Sequence, residues 1–200
     1  MVILDNIDVS YCKAIVEIHK KAFKGFFLTY LGDDFLKIYY KAVLKSEEAI
    51  TVCAVDKNKI IVGFAVGTTL SRGFHKRLIL RNCYSFGLAF VKIVLKSPSS
   101  IMRLIKNLEK NSLTGDDGNY AELLSIGVSD NFQGQGVGQL LIRAFEKRVR
   151  EKKGKQLILT TDKYENDSTI NFYIKSGYSL LYEFTSYPHR PMYKFIKQLQ

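Results

Sequence analysis

The run Q-G-Q-G-V-G, Gln133 to Gly138, constrains this chain more than any other stretch. It separates an apolar run, A-E-L-L-S-I-G-V, from a helical pattern, Q-L-L-I-R-A-F-E-K-R-V-R. Glycine inside a strand or helix costs about 0.5–1 kcal/mol relative to alanine. Three glycines in five positions at a strand-to-helix junction therefore mean that the bare backbone is itself needed. Glycines at a helix N-terminus let the main chain approach a ligand closely, and the free N–H groups with the positive end of the helix dipole favour an anion. The junction predicts a phosphate cradle.

The rest of the chain reads as alternating helices and strands. Asp8 or Ser10 can cap a helix that runs to about Lys24, with Ile15, Ile18, Ala22 and Phe23 along one face. The segment F-F-L-T-Y-L-G-D-D breaks it, and a second helix spans about Asp33 to Lys45. Two strand patterns follow, A-I-T-V-C-A-V and K-I-I-V-G-F-A-V-G-T-T, joined by a hairpin turn at D-K-N. Beyond the glycine junction the pattern predicts a helix from about Gly136 to Lys153, ended by Gly154 as the C′ residue. A strand Gln156 to Thr161, a helix from about Asp167 to Ser176, and strands near Tyr178 to Phe184 and Met192 to Ile196 complete it. No internal repeat and no linker is present, which predicts one domain over 1–200.

Cys12, Cys53 and Cys83 are odd in number, with no C-x-x-C pair and no histidine at metal-ligand spacing, so neither a disulfide framework nor a metal site is expected. The start, M-V-I-L-D-N-I-D, lacks a basic region followed by a long apolar one, so a cytoplasmic location is expected. The formal charge of +11 points to acidic partners. Between Ser71 and Ser112 lie nine basic residues against the single acid Glu109, so this fifth of the chain carries +8 of that charge. Within it, Ile101, Leu104, Ile105 and Leu108 predict an amphipathic helix. The uncharged run between Arg81 and Lys92 is ten residues, short of the ~20 needed to span a bilayer.

Two common phosphate cradles do not fit. A Walker loop needs G-x-x-x-x-G-K-[ST], and here Gln139 and Leu140 follow the last glycine. The dinucleotide fingerprint needs G-x-G-x-x-G directly after a first strand, whereas G-x-G-x-G stands here, late in the chain. The run V-S-D-N-F-Q-G-Q-G-V-G-Q-L-L-I instead resembles the acetyl-CoA signature of the GNAT acetyltransferase superfamily, Q/R-x-x-G-x-G/A, with Gln133, Gly136 and Gly138 at its fixed positions. The later run E-N-D-S-T-I-N-F-Y-I-K-S-G-Y resembles the superfamily's N-x-x-A-x-x-x-Y-x-x-x-G-F element, with Asn166, Tyr173, Gly177 and Tyr178 in register and Thr169 where alanine is usual. The likeness spans roughly Ile3 to Ile196 and is strongest from Tyr120 to Tyr178.

The resemblance implies a mixed α/β (α+β) fold: a central mixed, mostly antiparallel sheet of about six to seven strands flanked by helices. Against that pattern the basic segment at about 71–119 stands out as a helical insertion between the third and fourth strands. It also implies acetyl-CoA as cofactor, held between two splayed strands with its pyrophosphate on the N–H groups of Gln133, Gly134, Gln135, Gly136, Val137 and Gly138. Ile126 and Val128 would line the cofactor from the strand, Ile126 giving the oxyanion-binding N–H, and Asn166 would hold the pantetheine or the loop. Attack of a neutral amine on a thioester calls for a base, oxyanion donors and an acid. Glu122 matches the base of several members, histone acetyltransferases among them, and Tyr173 matches the acid near the sulfur. The plainer alternatives are a solvent-facing strand glutamate and a tyrosine that packs against the cofactor. Phe26, Phe27 and Thr29 in the first inter-helix loop, and His189 between the last two strands, fall where the family binds its acceptor; His19 reads as structural.

The expected activity is acetyl transfer to a primary amine of a small molecule, with amino sugars and sugar nucleotides as candidate acceptors. A non-catalytic CoA-binding or membrane-docking module and a protein N-acetyltransferase are the alternatives. Nucleic acid is not expected, because the aromatics of the basic segment alternate with aliphatics rather than arginines. For that segment a lid, a homodimer surface and a peripheral membrane contact all remain open.

Overall fold

A computed structural model describes residues 1–5, 7–96, 117–187 and 189–199. Strand β1 (Val2–Asp5) leads through a 3₁₀ turn (Val9–Tyr11) into α1 (Cys12–Ala22), α2 (Phe27–Tyr30) and α3 (Asp33–Leu44). The hairpin β2 (Ala49–Val55) and β3 (Ile61–Thr68) precedes α4 (Phe74–Arg81) and α5 (Cys83–Lys96). Then come β4 (Ala121–Val128), α6 (Val137–Glu151), β5 (Gln156–Asp162), α7 (Asp167–Lys175), β6 (Ser179–Ser186) and β7 (Arg190–Gln198). The seven strands form one sheet in the order β1-β2-β3-β4-β5-β7-β6, in which only β4 and β5 run parallel. This is the mixed, mostly antiparallel sheet flanked by helices that the sequence predicts.

The sheet is covered on both faces, which is why β2 and β3 read as near-continuous apolar runs instead of alternating ones. On one face α6 buries Val137, Leu141, Ile142, Phe145 and Val149 against Val52, Ala65, Leu157 and Leu159. On the other, Ile15 and Val16 of α1, Leu36 and Val43 of α3, and Phe86 of α5 close over Cys53, Phe64 and Val66. Each fully buried Leu, Ile, Val or Phe contributes about 1.5–3 kcal/mol of transfer free energy. The neck of the insertion is tied shut by Ser71 N–H to Tyr120 C=O and Arg72 N–H to Gly118 C=O, both 2.9 Å.

Four expectations are adjusted. The strand β1, four residues at the sheet edge, has no counterpart in the sequence reading; it is too short to show a period. The first half of the 71–119 segment is the helix pair α4 and α5, whereas the predicted helix on Ile101, Leu104, Ile105 and Leu108 lies outside the described residues. The helix reading from Asp8 begins later, because Asp8 caps the 3₁₀ turn by accepting from Ser10 N–H at 2.6 Å. Past α6 the left-handed C′ position belongs to Lys153 (φ 62°), not Gly154. Gly154 is needed for space, since a Cβ there would stand 2.4 Å from Val149 Cγ1.

Candidate active site

The site begins with one extra residue. In the β3–β4 ladder Val66 faces Ser125 while Gly67 faces Leu123, so Leu124 is bulged out. A bulge bends its strand and sharpens its twist, and here the parallel pairing with β5 stops at the same place, after Leu123↔Leu159. Beyond it β4 stays with β3 to Val128 and β5 stays with β7 to Asp162. The two strands diverge into a wedge that holds a cavity of about 730 Å³, a size typical of small-molecule and cofactor sites.

At the mouth of the wedge lies the glycine turn. Gly134 (φ 72°) and Gly136 (φ 79°) are left-handed, a conformation that costs other residues about 1–2 kcal/mol. A Cβ on either would meet nothing within 4 Å, so it is the conformation and the open approach that call for glycine, not crowding. Gly136 is the N-cap of α6 and no side chain caps that end, which leaves first-turn N–H groups for a ligand. Gln133 holds the turn to the strand end, its Nε2 donating to Asp130 Oδ1 at 3.2 Å. The residues present thus fit a phosphate-bearing cofactor.

The opposite wall comes from β5 and α7. Asn166 Nδ2 donates to Thr161 Oγ1 (2.6 Å) and Asp162 C=O (3.0 Å), bracing the diverged end of β5. The run Tyr173 to Tyr178 is a complete Schellman motif: Tyr178 N–H bonds Tyr173 C=O (3.0 Å), Gly177 N–H bonds Ile174 C=O (2.9 Å), and Gly177 has φ 86°. Its customary apolar contact is Tyr173 against Tyr178, rings 5.9 Å apart. The glycine and the second tyrosine thus fix the end of α7 that carries Tyr173, which is 5% exposed and whose phenol burial keeps protonated well above the ordinary range.

Of the residues singled out in the sequence, Ile126, Val128, Gln133, Gly134, Gly136, Val137, Gly138, Asn166, Tyr173 and Phe26 line the cavity. Gln135 lies in the same turn but points its amide at Asn131 C=O (2.9 Å). Thr29 Oγ1 donates to Phe23 C=O at 2.7 Å, closing the turn before α2. Phe27 opens α2, and its side chain lies outside the described residues. His189 is exposed, with φ 114°, at the tip of the β6–β7 hairpin. Glu122 is half-buried on the α1/α3 face, where its carboxylate accepts from the Ser71 hydroxyl, and it is not part of the cavity lining.

Two lining features escaped the sequence reading. Arg190, beside His189, forms a bidentate pair with Asp162 and lies 4.1 Å over the Phe26 ring, spanning the cavity from β7 to the α1–α2 loop. His19 also reaches the lining. Its Nδ1 lies 2.7 Å from Tyr40 Oη, its ring stacks on Phe23, and its Nε2 is solvent-excluded without a partner among the described residues. Desolvation lowers its pKa to about 4, so the ring is neutral near pH 7. Tyr40 in turn bonds Ser125, a second lining residue.

Comparison with known proteins agrees with this architecture. A sequence model described as the acetyltransferase (GNAT) family matches residues 12–178. No curated protein sequence matches significantly. Among solved structures the chain is similar to the ribosomal-protein-alanine N-acetyltransferase from Brucella melitensis (16% identity, 100% of both chains, TM-score 0.66). It is also similar to aminoglycoside 6′-acetyltransferase type Ii (16%, 100% of this chain and 98% of that one, 0.63) and to Arabidopsis thaliana NAA60 in complex with acetyl-CoA (13%, 99% and 98%, 0.63). At such identities these likenesses show the fold. The family match covers most of the chain, and the protein belongs to the acetyltransferase (GNAT) family. It is thereby a transferase of acetyl groups.

Proposed function

We propose that this protein transfers the acetyl group of acetyl-CoA directly, within a ternary complex, to a primary amine of a small molecule, with amino sugars and sugar nucleotides as the acceptor class. The observation that carries the reading is the uncapped, left-handed glycine turn at the mouth of a wedge opened by a single bulge. Acetyl-CoA supplies the activated acetyl thioester. The N–H groups of Gln133 to Gly138 take its pyrophosphate, Ile126 and Val128 present the β4 wall, and Asn166 keeps β5 apart from it. The Ile126 N–H is the donor to the acetyl oxygen, and Tyr173 Oη holds the proton for the leaving sulfur.

Glu122 is the terminal acceptor of the amine proton. It stands on β4 two residues before the bulged Leu124 and outside the cavity lining, so the proton reaches it by relay and not by direct contact. The acceptor end of the cavity favours an amine that also bears an anionic group. Glu165 offers a carboxylate to an ammonium, while Arg190, oriented by its pair with Asp162, presents the remaining edge of its guanidinium to a phosphate or carboxylate.

Calorimetric titration with acetyl-CoA tests the first half. Binding by the wild type that falls on the order of 100-fold (~3 kcal/mol) in Gly136→Glu, which brings a carboxylate to the phosphate cradle, is expected. Absence of binding by folded wild type sinks the reading. A thiol-release assay over amino sugars, sugar nucleotides, aminoglycosides and N-terminal peptides tests the second half, and turnover confined to peptides replaces the acceptor class.

A further inference from the structure

The insertion helix α5 has two apolar faces, and among the described residues one of them is covered and the other is exposed. Inward, Phe86 (1% exposed) and Ala89 (4%) pack on α3, with the Phe86 ring edge-on to Phe35 at 5.9 Å. Outward, Tyr84 (77%), Leu88 (53%) and Val91 (59%) form a stripe at i, i+4 and i+7, and Leu80 (62%) of α4 stands just before it in the chain. A stripe at that spacing lies along one side of a helix. Scattered exposed leucines need no explanation, but an aligned apolar stripe does.

The charges around it narrow the partner. From Ser71 to Lys96 there is no acidic residue and six basic ones, Arg72, Lys76, Arg77, Arg81, Lys92 and Lys96. Arg77 and Arg81 pair with Glu48 at 2.7 and 3.0 Å, while Arg72 and Lys76 are exposed. A second copy seated on this face by two-fold symmetry would bring its own exposed Arg72 and Lys76 toward these. Nucleic acid offers phosphates but nothing to cover the aliphatic stripe. An anionic bilayer surface offers both an apolar layer and negative charge, at the depth an interfacial helix reaches. No helix among the described residues is long and apolar enough to cross a membrane, so the geometry is that of a helix lying on the surface.

We propose that the outward face of α4 and α5 docks this protein on anionic membrane surfaces, with Tyr84, Leu88 and Val91 in the acyl boundary and Arg72 and Lys76 at the headgroups. The α5 helix belongs to the same layer as α1, which carries His19, Ala22 and the start of the loop to Phe26 to the cavity. Docking therefore sets the acceptor side of the molecule, not the glycine turn and α6, against the membrane. If the acetyl-transfer reading holds, its amine acceptor is then drawn from that surface.

Co-sedimentation with phosphatidylcholine vesicles, with and without phosphatidylglycerol, tests the proposal over a salt series. The wild type is expected to bind only the anionic vesicles and to lose more than tenfold in partitioning as the screening length shrinks from about 10 Å to about 3 Å. Leu88→Asp should lower partitioning at least tenfold, and Lys76→Gln by roughly fivefold. Both positions are exposed, and unchanged melting and acetyl-CoA titration establish that each variant is folded. No binding to anionic vesicles, or binding indifferent to Leu88→Asp, overturns the proposal. So does a wild-type dimer that Leu88→Asp dissociates in the absence of vesicle binding. Loss of acetyl-CoA binding with vesicle binding intact would overturn the enzymatic reading alone.

Discussion

The two faces of the sheet do different work. On the α6 face Val137, Leu141, Phe145 and Val149 are fully buried against the sheet, and the buried Glu146 is met by Lys197 Nζ at 2.8 Å to both oxygens and by the Tyr178 hydroxyl at 3.1 Å. On the α1/α3 face, titratable and hydroxyl groups run through the core, with His19, Tyr40 and Ser125 at the cavity and Glu122, Ser71, Tyr39 and His75 below it. A rigid apolar face can hold a helix N-terminus and its glycine turn in place. A polar face can move protons, and it is the more exposed to pH.

The sharpest break of this contrast is expected on the rigid face. A Cβ at Gly67 would lie 2.1 Å from Glu122 C=O and 2.6 Å from Phe145 Cζ. Backbone cannot yield there, so Gly67→Ala should cost more than about 3 kcal/mol in urea unfolding. A loss below about 1 kcal/mol would show that face to be plastic. Next comes Tyr173→Phe, at the proposed proton donor held from the α6 side, which should lower kcat about 100-fold with the KM for acetyl-CoA little changed. Glu122→Gln on the polar face should cost about tenfold. The reverse order would make removal of the amine proton, and not protonation of the sulfur, the step that depends more on the protein.

The pH response belongs to the polar face. The pKa of His19 is depressed from 6.5 to about 4 by burial, so between these values the unfolded chain binds the extra proton. Its contribution is fully present above pH 6.5 and is lost as pH falls toward 4. Stability should therefore drop by about 2 kcal/mol from pH 7 to 5 through His19. The half-buried His75, shifted the same way, adds less. Urea midpoints of wild type and His19→Gln at the two pH values check this, and an equal drop in the variant would clear His19. The smallest effect is Gly87→Ala on the outward side of α5, where an added Cβ meets nothing within 4 Å. Helix propensity alone should raise stability there by about 0.5–1 kcal/mol.

What was legible in the sequence follows the same division. The α6 face could be read because its determinants are local: a glycine turn beside a helix pattern, and a Tyr173 to Tyr178 spacing that matches a short element of the family. The polar face could not. Nothing near His19 in the chain shows that its Nδ1 meets Tyr40 while its Nε2 has no partner among the described residues, because that pairing spans two helices. Arg190, Asp162 and Phe26 come from three distant segments, and only tertiary structure joins them. The side-chain bonds of Thr29 to Phe23 C=O and of Gln135 to Asn131 C=O were equally hidden, since a sequence shows that a short polar side chain stands in a loop and not which carbonyl it serves.

The extra residue in β4 has a consequence of its own. On either side of Leu124 the strand keeps its orientation, with Ala121 and Leu123, then Ile126 and Val128, all toward α6. Removing Leu124 would leave every one of those faces unchanged and take away the bend, together with the one side chain that Leu124 itself sets against the cavity and the α1/α3 core. The width of the cleft is thus recorded in the chain as a count, not as a residue type. Substitution can redecorate the walls, but only an insertion or a deletion can open or shut the site.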